Sequence, residues 1–156
     1  MYDYEHTQPG TLFRVALGFW LLVFLAGAVA VLVSGVGAEK AIDAIIPIIL
    51  AAIFAAAIAL FHSLTVRVSH NEIRLSFGAG LIQKSFLIDD IEAAATARNR
   101  WYNGWGIKKI RGGWLYNVSG FDAVEIQLNS GRRYRIGTDQ PRELLAAVES
   151  AMAQSG

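Results

Sequence analysis

Residues 15–33 read VALGFWLLVFLAGAVAVLV, and residues 44–61 read AIIPIILAAIFAAAIALF. Neither stretch contains an acid, a base or a histidine. A helix needs about 20 apolar residues to cross a bilayer core of about 30 Å. The stretches hold 19 and 18 residues, enough at about 1.5 Å of rise per residue. Between them, residues 34–43 carry Gly35, Gly37 and three charges and read as a turn in water. The expected unit is a helical hairpin, with helices over about 15–35 and 44–62 after a short N-terminal tail. Pro47 falls in the first turn of the second helix, where a missing N–H costs least. A secretory signal is the first alternative, because Ala28-Val29-Ala30 resembles a cleavage site. Against it, Asp3 and Glu5 precede the run with only Arg14 as a base, and the run continues through Val33. The second alternative, a buried soluble hairpin, would need a much larger protein around it.

The whole chain has 156 residues, 54% of them hydrophobic and 17% charged. Soluble domains carry about 25% charged residues. The net charge of +1 excludes a strongly acidic or basic tail protein. The absence of cysteine excludes disulfide scaffolds, thiolate metal sites and Cys nucleophiles. With no ionisable group in mid-span, the helices do not read as part of a pump or transporter. Arg14, Arg67 and Arg74 flank the outer helix ends and only Lys40 lies in the connection. The positive-inside bias therefore places both termini and the polar half in the cytoplasm. Ala51, Ala55 and Ala59 recur every fourth residue and are candidate helix-packing positions, within the hairpin or toward another chain.

From His62 onward the period changes. Residues 64–69 and 72–77 alternate apolar and polar around His70-Asn71, the pattern of a β-hairpin. Further strands are expected at 81–88, 91–97, 114–118, 123–128 and 132–136. Asp139 and Pro141 then open a helix with Leu144, Leu145, Val148 and Met152 at helical spacing. The expected fold class is a membrane α-helical hairpin over residues 1–62, followed by a mostly-β domain over 63–156. That domain has about seven antiparallel strands in a bent sheet or barrel-like sandwich, with a C-terminal helix covering an open end.

The strings Gly104-Trp105-Gly106-Ile107, Gly113-Trp114-Leu115-Tyr116-Asn117-Val118, Asp122-Ala123-Val124-Glu125-Ile126 and Gly131-Arg132-Arg133-Tyr134-Arg135-Ile136-Gly137-Thr138-Asp139 resemble those of the bacterial pleckstrin-homology (PH-like) membrane proteins. The resemblance spans roughly residues 62–153. It implies two transmembrane helices before a cytoplasmic PH-like domain, in the bacterial inner membrane. It implies a seven-strand barrel-like sandwich closed by a helix, and it carries over no catalytic motif.

The stretch RNRWYNGWGIKKIRGGW, residues 98–114, concentrates the chemistry. Its bases Arg98, Arg100, Lys108, Lys109 and Arg111 stand among Trp101, Tyr102, Trp105 and Trp114, with no acid. Aromatic rings sit at headgroup level and cations meet anionic lipid. Arg98, Arg100, Trp101, Tyr102, Trp105, Lys108, Lys109 and Arg111 are therefore a candidate surface-docking loop for anionic lipid headgroups or for a protein partner. The opposing reading has Trp105 and Trp114 filling the core. Nucleic acid is a poor match, since the polar half has 12 bases against 9 acids. Arg133 and Arg135 alternate onto one solvated strand face. Asp89, Asp90 and Glu92 read as solvated turn charges. No nucleophile–base order, Walker loop, dinucleotide fingerprint or HExxH is present. No cofactor and no metal are implied. The expected function is non-catalytic binding by a membrane-anchored module. The alternative is a structural or assembly factor acting through helix oligomerisation.

Overall fold

The computed structural model describes residues 2–34 and 38–155. A strand, β1 (Tyr4–Pro9), precedes the helix pair α1 (Thr11–Val33) and α2 (Ala38–Phe61). The N-terminal tail expected from the sequence is thus largely a strand. YEHTQP carries no alternating apolar pattern, and its order comes from pairing with β2 (Ser63–Val68), from Tyr4↔Val68 to Pro9↔Ser63. Both outer ends of the helix pair therefore run without a linker into adjacent strands of one sheet.

Both helices are long and apolar enough to cross a membrane. Each starts earlier than the apolar count implies. Glu39, Lys40 and Asp43 lie inside α2 rather than in a turn, since Glu and Lys are good helix formers and only the glycines oppose helix. The expected turn at Gly35 and Gly37 falls outside the described residues. Pro47 consequently sits inside α2, not in its first turn. The two helices meet through Ala28, Ala44 and Ala51, all buried, and through the ring pairs Phe24–Phe54 and Phe13–Phe61 at 5.4 and 5.6 Å.

Of the alanine series, only Ala51 packs inside the hairpin, at 5% exposure. Ala55 and Ala59 face outward. Four residues advance a helix by about 40° beyond a full turn, so a strict fourfold spacing walks off a straight contact face. Ala51→Leu should overpack the helix contact at a cost of about 1–3 kcal/mol. Ala55→Leu should stay within about 0.5 kcal/mol. Detergent-driven unfolding followed by Trp20 fluorescence checks both.

The polar half adds β3 (Glu72–Phe77), β4 (Ile82–Leu87), β5 (Ile91–Arg98), β6 (Gly106–Ile110), β7 (Gly113–Asn117), β8 (Asp122–Leu128), β9 (Arg133–Gly137) and α3 (Pro141–Ser155). Among the described residues, nine strands form two sheets, ordered β1-β2-β3-β4 and β5-β8-β9-β7-β6. The seven expected strands are all present. The two additional ones are β1 and β6, the latter inside the expected loop. The sheets are separate and no barrel closes.

The expectation of purely antiparallel pairing also needs correction, because β7 and β9 run parallel. β8 pairs with β5 instead of folding back on β7, which leaves one strand-width that β9 fills. The parallel pair is very close at Gly113, where a Cβ would stand 1.6 Å from the Arg133 carbonyl oxygen. Gly113→Ala should therefore force the strands apart and cost about 3 kcal/mol in equilibrium unfolding.

The core lies between the sheets. Leu64, Val66, Val68, Ile73, Leu75 and Phe77 face Tyr116, Val124, Ile126, Tyr134 and Ile136, and Leu144, Val148 and Ala151 of α3 close one side. The period-2 and helical patterns of the sequence identify these same faces. Burial, with Tyr134 nearby, raises the Tyr116 phenol above the ordinary tyrosine value. Asp139 does not have the capping role expected of it. Its carboxylate takes His6 Nε2 at 2.6 Å, while Thr138 Oγ1 accepts the Gln140 N–H ahead of Pro141.

Candidate functional site

β5 and β6 occupy opposite edges of the second sheet, so the segment joining them must cross its full width. This segment contains Asn99, Arg100, a 3₁₀ turn over Trp101–Asn103, and Trp105. It crosses at the end where Arg98 pairs with Asp122 and Gly106 with Asn117. That end is also the helix-pair end. Gln8, three residues before α1, donates from Nε2 to the Ser119 carbonyl at 3.1 Å. Phe121, two residues on, accepts the Asn99 N–H at 2.6 Å.

The segment and the sheet border an open cavity of about 630 Å³, lined by Arg98, Arg100, Tyr102, Lys108, Lys109, Ile110, Arg111 and Arg135. All five bases of the expected docking loop thus converge on one concavity. This volume is in the range of small-ligand pockets, about 300–1,000 Å³. No carboxylate lines it. Arg98, Arg100, Lys108, Lys109 and Arg111 are exposed and make no ion pair among the described residues. Arg100 Nη1 donates to the Tyr102 hydroxyl at 2.9 Å, and its guanidinium stands 5.8 Å from that ring's centre. Guanidinium forks and ammonium groups without acidic partners have the chemistry to hold an anion, and guanidinium geometry matches phosphate oxygens.

The aromatic members divide. Tyr102 lines the cavity, while Trp101 stands outside it at 78% exposure with its ring 6.0 Å from that of Tyr102. Trp105 is half-buried, and its Nε1 is buried without a hydrogen-bond partner. Trp114, 42% exposed, lies on β7. Neither Trp105 nor Trp114 belongs to the central core, so the core-filling reading of these two residues does not hold.

The sequence pattern marks Arg135 only as a base on a solvated strand face. Alternation places it outward with Arg133, and both engage Glu125, at 2.6 Å from Arg135 Nε and 3.8 Å from Arg133 Nη1. The parallel β7–β9 register sets Arg135 opposite Leu115, which in turn pairs with Lys108. No local pattern signals that register, so its membership of the site was not legible. Asp89, Asp90 and Glu92 gather no metal-type cluster among the described residues, and the Asp89 carboxylate instead accepts the Ser155 hydroxyl.

No protein-family model matches the sequence, and no curated protein or solved structure matches it.

Proposed function

We propose that the chain is a non-catalytic, membrane-anchored binding module of the PH-like class that docks on anionic lipid headgroups at the surface its helices enter. One observation carries this reading. Five bases without acidic partners converge with Arg135 on a cavity that runs from the crossing segment, at the helix-pair end, along β6 to the β6–β7 turn. Trp101 beside it suits headgroup depth. Because β1 and β2 continue directly from the helices, the domain is held at the surface at high effective concentration, and individually weak contacts suffice. The basic residues around the outer helix ends orient the domain to the cytoplasmic face of a bacterial inner membrane. The strings quoted above for the PH-like resemblance fall on β6, β7, β8 and β9, four of the five strands of this sheet, and on the residues that flank them.

The test uses the full chain in nanodiscs of phosphatidylcholine, with and without anionic phospholipid. Trp101 emission is isolated by difference against Trp101→Phe. A blue shift on anionic discs that salt reverses is expected. Equal spectra in both discs would reject headgroup docking and turn the search to a protein partner.

The second reading, assembly through the helices, is favoured by the outward position of Ala55 and Ala59. It requires self-association in micelles that Ala55→Leu weakens.

A further inference from the structure

The turn between β3 and β4, residues 78–81, reads Gly-Ala-Gly-Leu and carries no charge. Leu81 is 78% exposed and Ala79 is exposed. A large apolar side chain at the tip of a turn has no role in the core, which Phe77 and Ile82 on either side already serve.

The position of the turn gives Leu81 its meaning. The Gly78 N–H donates to the Ser63 carbonyl at 2.9 Å. At φ +53, a Cβ on Gly78 would stand 2.5 Å from the Ala59 carbonyl oxygen and 2.6 Å from that of Leu60. Ala59 and Leu60 lie in the last turn of α2, inside the apolar span Ile42–Phe61. The turn therefore lies directly against the C-terminal end of α2, level with its last turn and the start of β2. Phe13 of α1 packs on Phe61 at this level, and Arg14, the first base of α1, follows it. Long basic side chains at such positions reach back to the headgroups. This sets the turn at the boundary between headgroups and acyl chains. Lys84 is three residues beyond Leu81, about 10 Å along the strand, at the height where phosphates lie.

The geometry points to a third membrane contact besides the two helices: the turn at residues 78–81 inserts Leu81 shallowly into the bilayer that α1 and α2 span. The inference rests on the reading of the helix pair as membrane-spanning. The occupant of this apolar tip is lipid, because the tip is continuous with the lipid-facing end of α2. Interfacial insertion of an apolar side chain beside basic residues is the ordinary mode of surface seating. Together with the crossing segment on the other sheet, the turn gives the domain two separated footholds, which fix its tilt and the direction in which the basic cavity opens.

The chain has no cysteine, so single cysteines can be labelled cleanly. Leu81→Cys, Leu87→Cys and Leu22→Cys, each carrying an environment-sensitive dye, are reconstituted as full chain in phosphatidylcholine vesicles. Leu87 is exposed at the far end of β4, and Leu22 is exposed midway along α1. Shallow nitroxide lipids should quench the dye at residue 81 several-fold more than at 87, and deep nitroxides should quench residue 22. Residue 22 quenched with 81 no better than 87 overturns this inference alone. Residue 22 unquenched overturns the spanning reading and the inference with it. Residue 81 shielded from both nitroxide and aqueous iodide assigns the tip to protein contact and overturns the proposal.

Discussion

If the domain docks on anionic headgroups as proposed, replacing Lys108, Lys109 and Arg111 together by glutamine is expected to lower the equilibrium between docked and undocked domain about 150-fold. Each base near an anionic surface is worth about 1 kcal/mol, and a factor of ten corresponds to about 1.4 kcal/mol. The three side chains are exposed and without ion pairs among the described residues, so their loss leaves no buried partner uncompensated. The fold should therefore be unchanged, and unfolding midpoints of variant and parent should coincide. The measurement is the Trp101 emission shift on anionic nanodiscs across a salt series. The parent loses its shift as salt rises, because exposed charges beyond a Debye length of about 8 Å at physiological salt are screened. The variant should begin near the parent's high-salt value. A variant that keeps the full shift would separate the basic cavity from docking.

Phe77→Ala is expected to have the largest effect on stability, about 3–5 kcal/mol. Phe77 is 1% exposed at the end of β3. Its ring meets Phe61 of α2 at 5.6 Å and Tyr116 of β7 at 6.3 Å. Phe86 meets Tyr116 at 6.3 Å and Tyr134 at 4.7 Å, which continues the row of rings into the second sheet. One side chain thus joins the helix pair and both sheets. Truncation opens a cavity where all three meet, and directly bonded strand–helix junctions leave little freedom to collapse around it. Denaturant unfolding in micelles should show the loss, and protease should cut earlier near the junction between α2 and β2. Phe61→Ala, at a half-buried position, should cost clearly less. A Phe77→Ala cost below about 1 kcal/mol would mean that the helices and the sheets pack independently.

Much of this organisation can be read residue by residue. The two uncharged apolar runs identify the helix pair, since each is long and apolar enough to form a helix of spanning length. Alternation at Ile73, Leu75 and Phe77, and at Val124, Ile126 and Ile136, selects the faces that the core uses. The cluster of bases and aromatics from Arg98 to Trp114 marks the site, since its lack of acids is visible without coordinates. Local patterns reach this far because periodicity and charge are properties of neighbours in the chain.

What lay beyond the sequence depends on contacts between residues distant in the chain. Tyr4–Pro9 has no strand pattern and becomes a strand only because β2 offers it an edge. Ala55 and Ala59 match Ala51 in spacing, but the helix crossing turns them away. Trp105 and Trp114 stay out of the core, whose central rings are Phe77, Phe86, Tyr116 and Tyr134. Arg135 enters the basic cavity because β9 slots beside β7. The sequence by itself determined which segments bury and which carry charge, because hydrophobic transfer and ionisation are properties of individual side chains. Only the tertiary structure decided that the five bases share one cavity and that this cavity opens beside the crossing segment and extends along β6. Strand order and register are set by backbone pairing across long loops, and that pairing leaves no local mark on the residues it brings together.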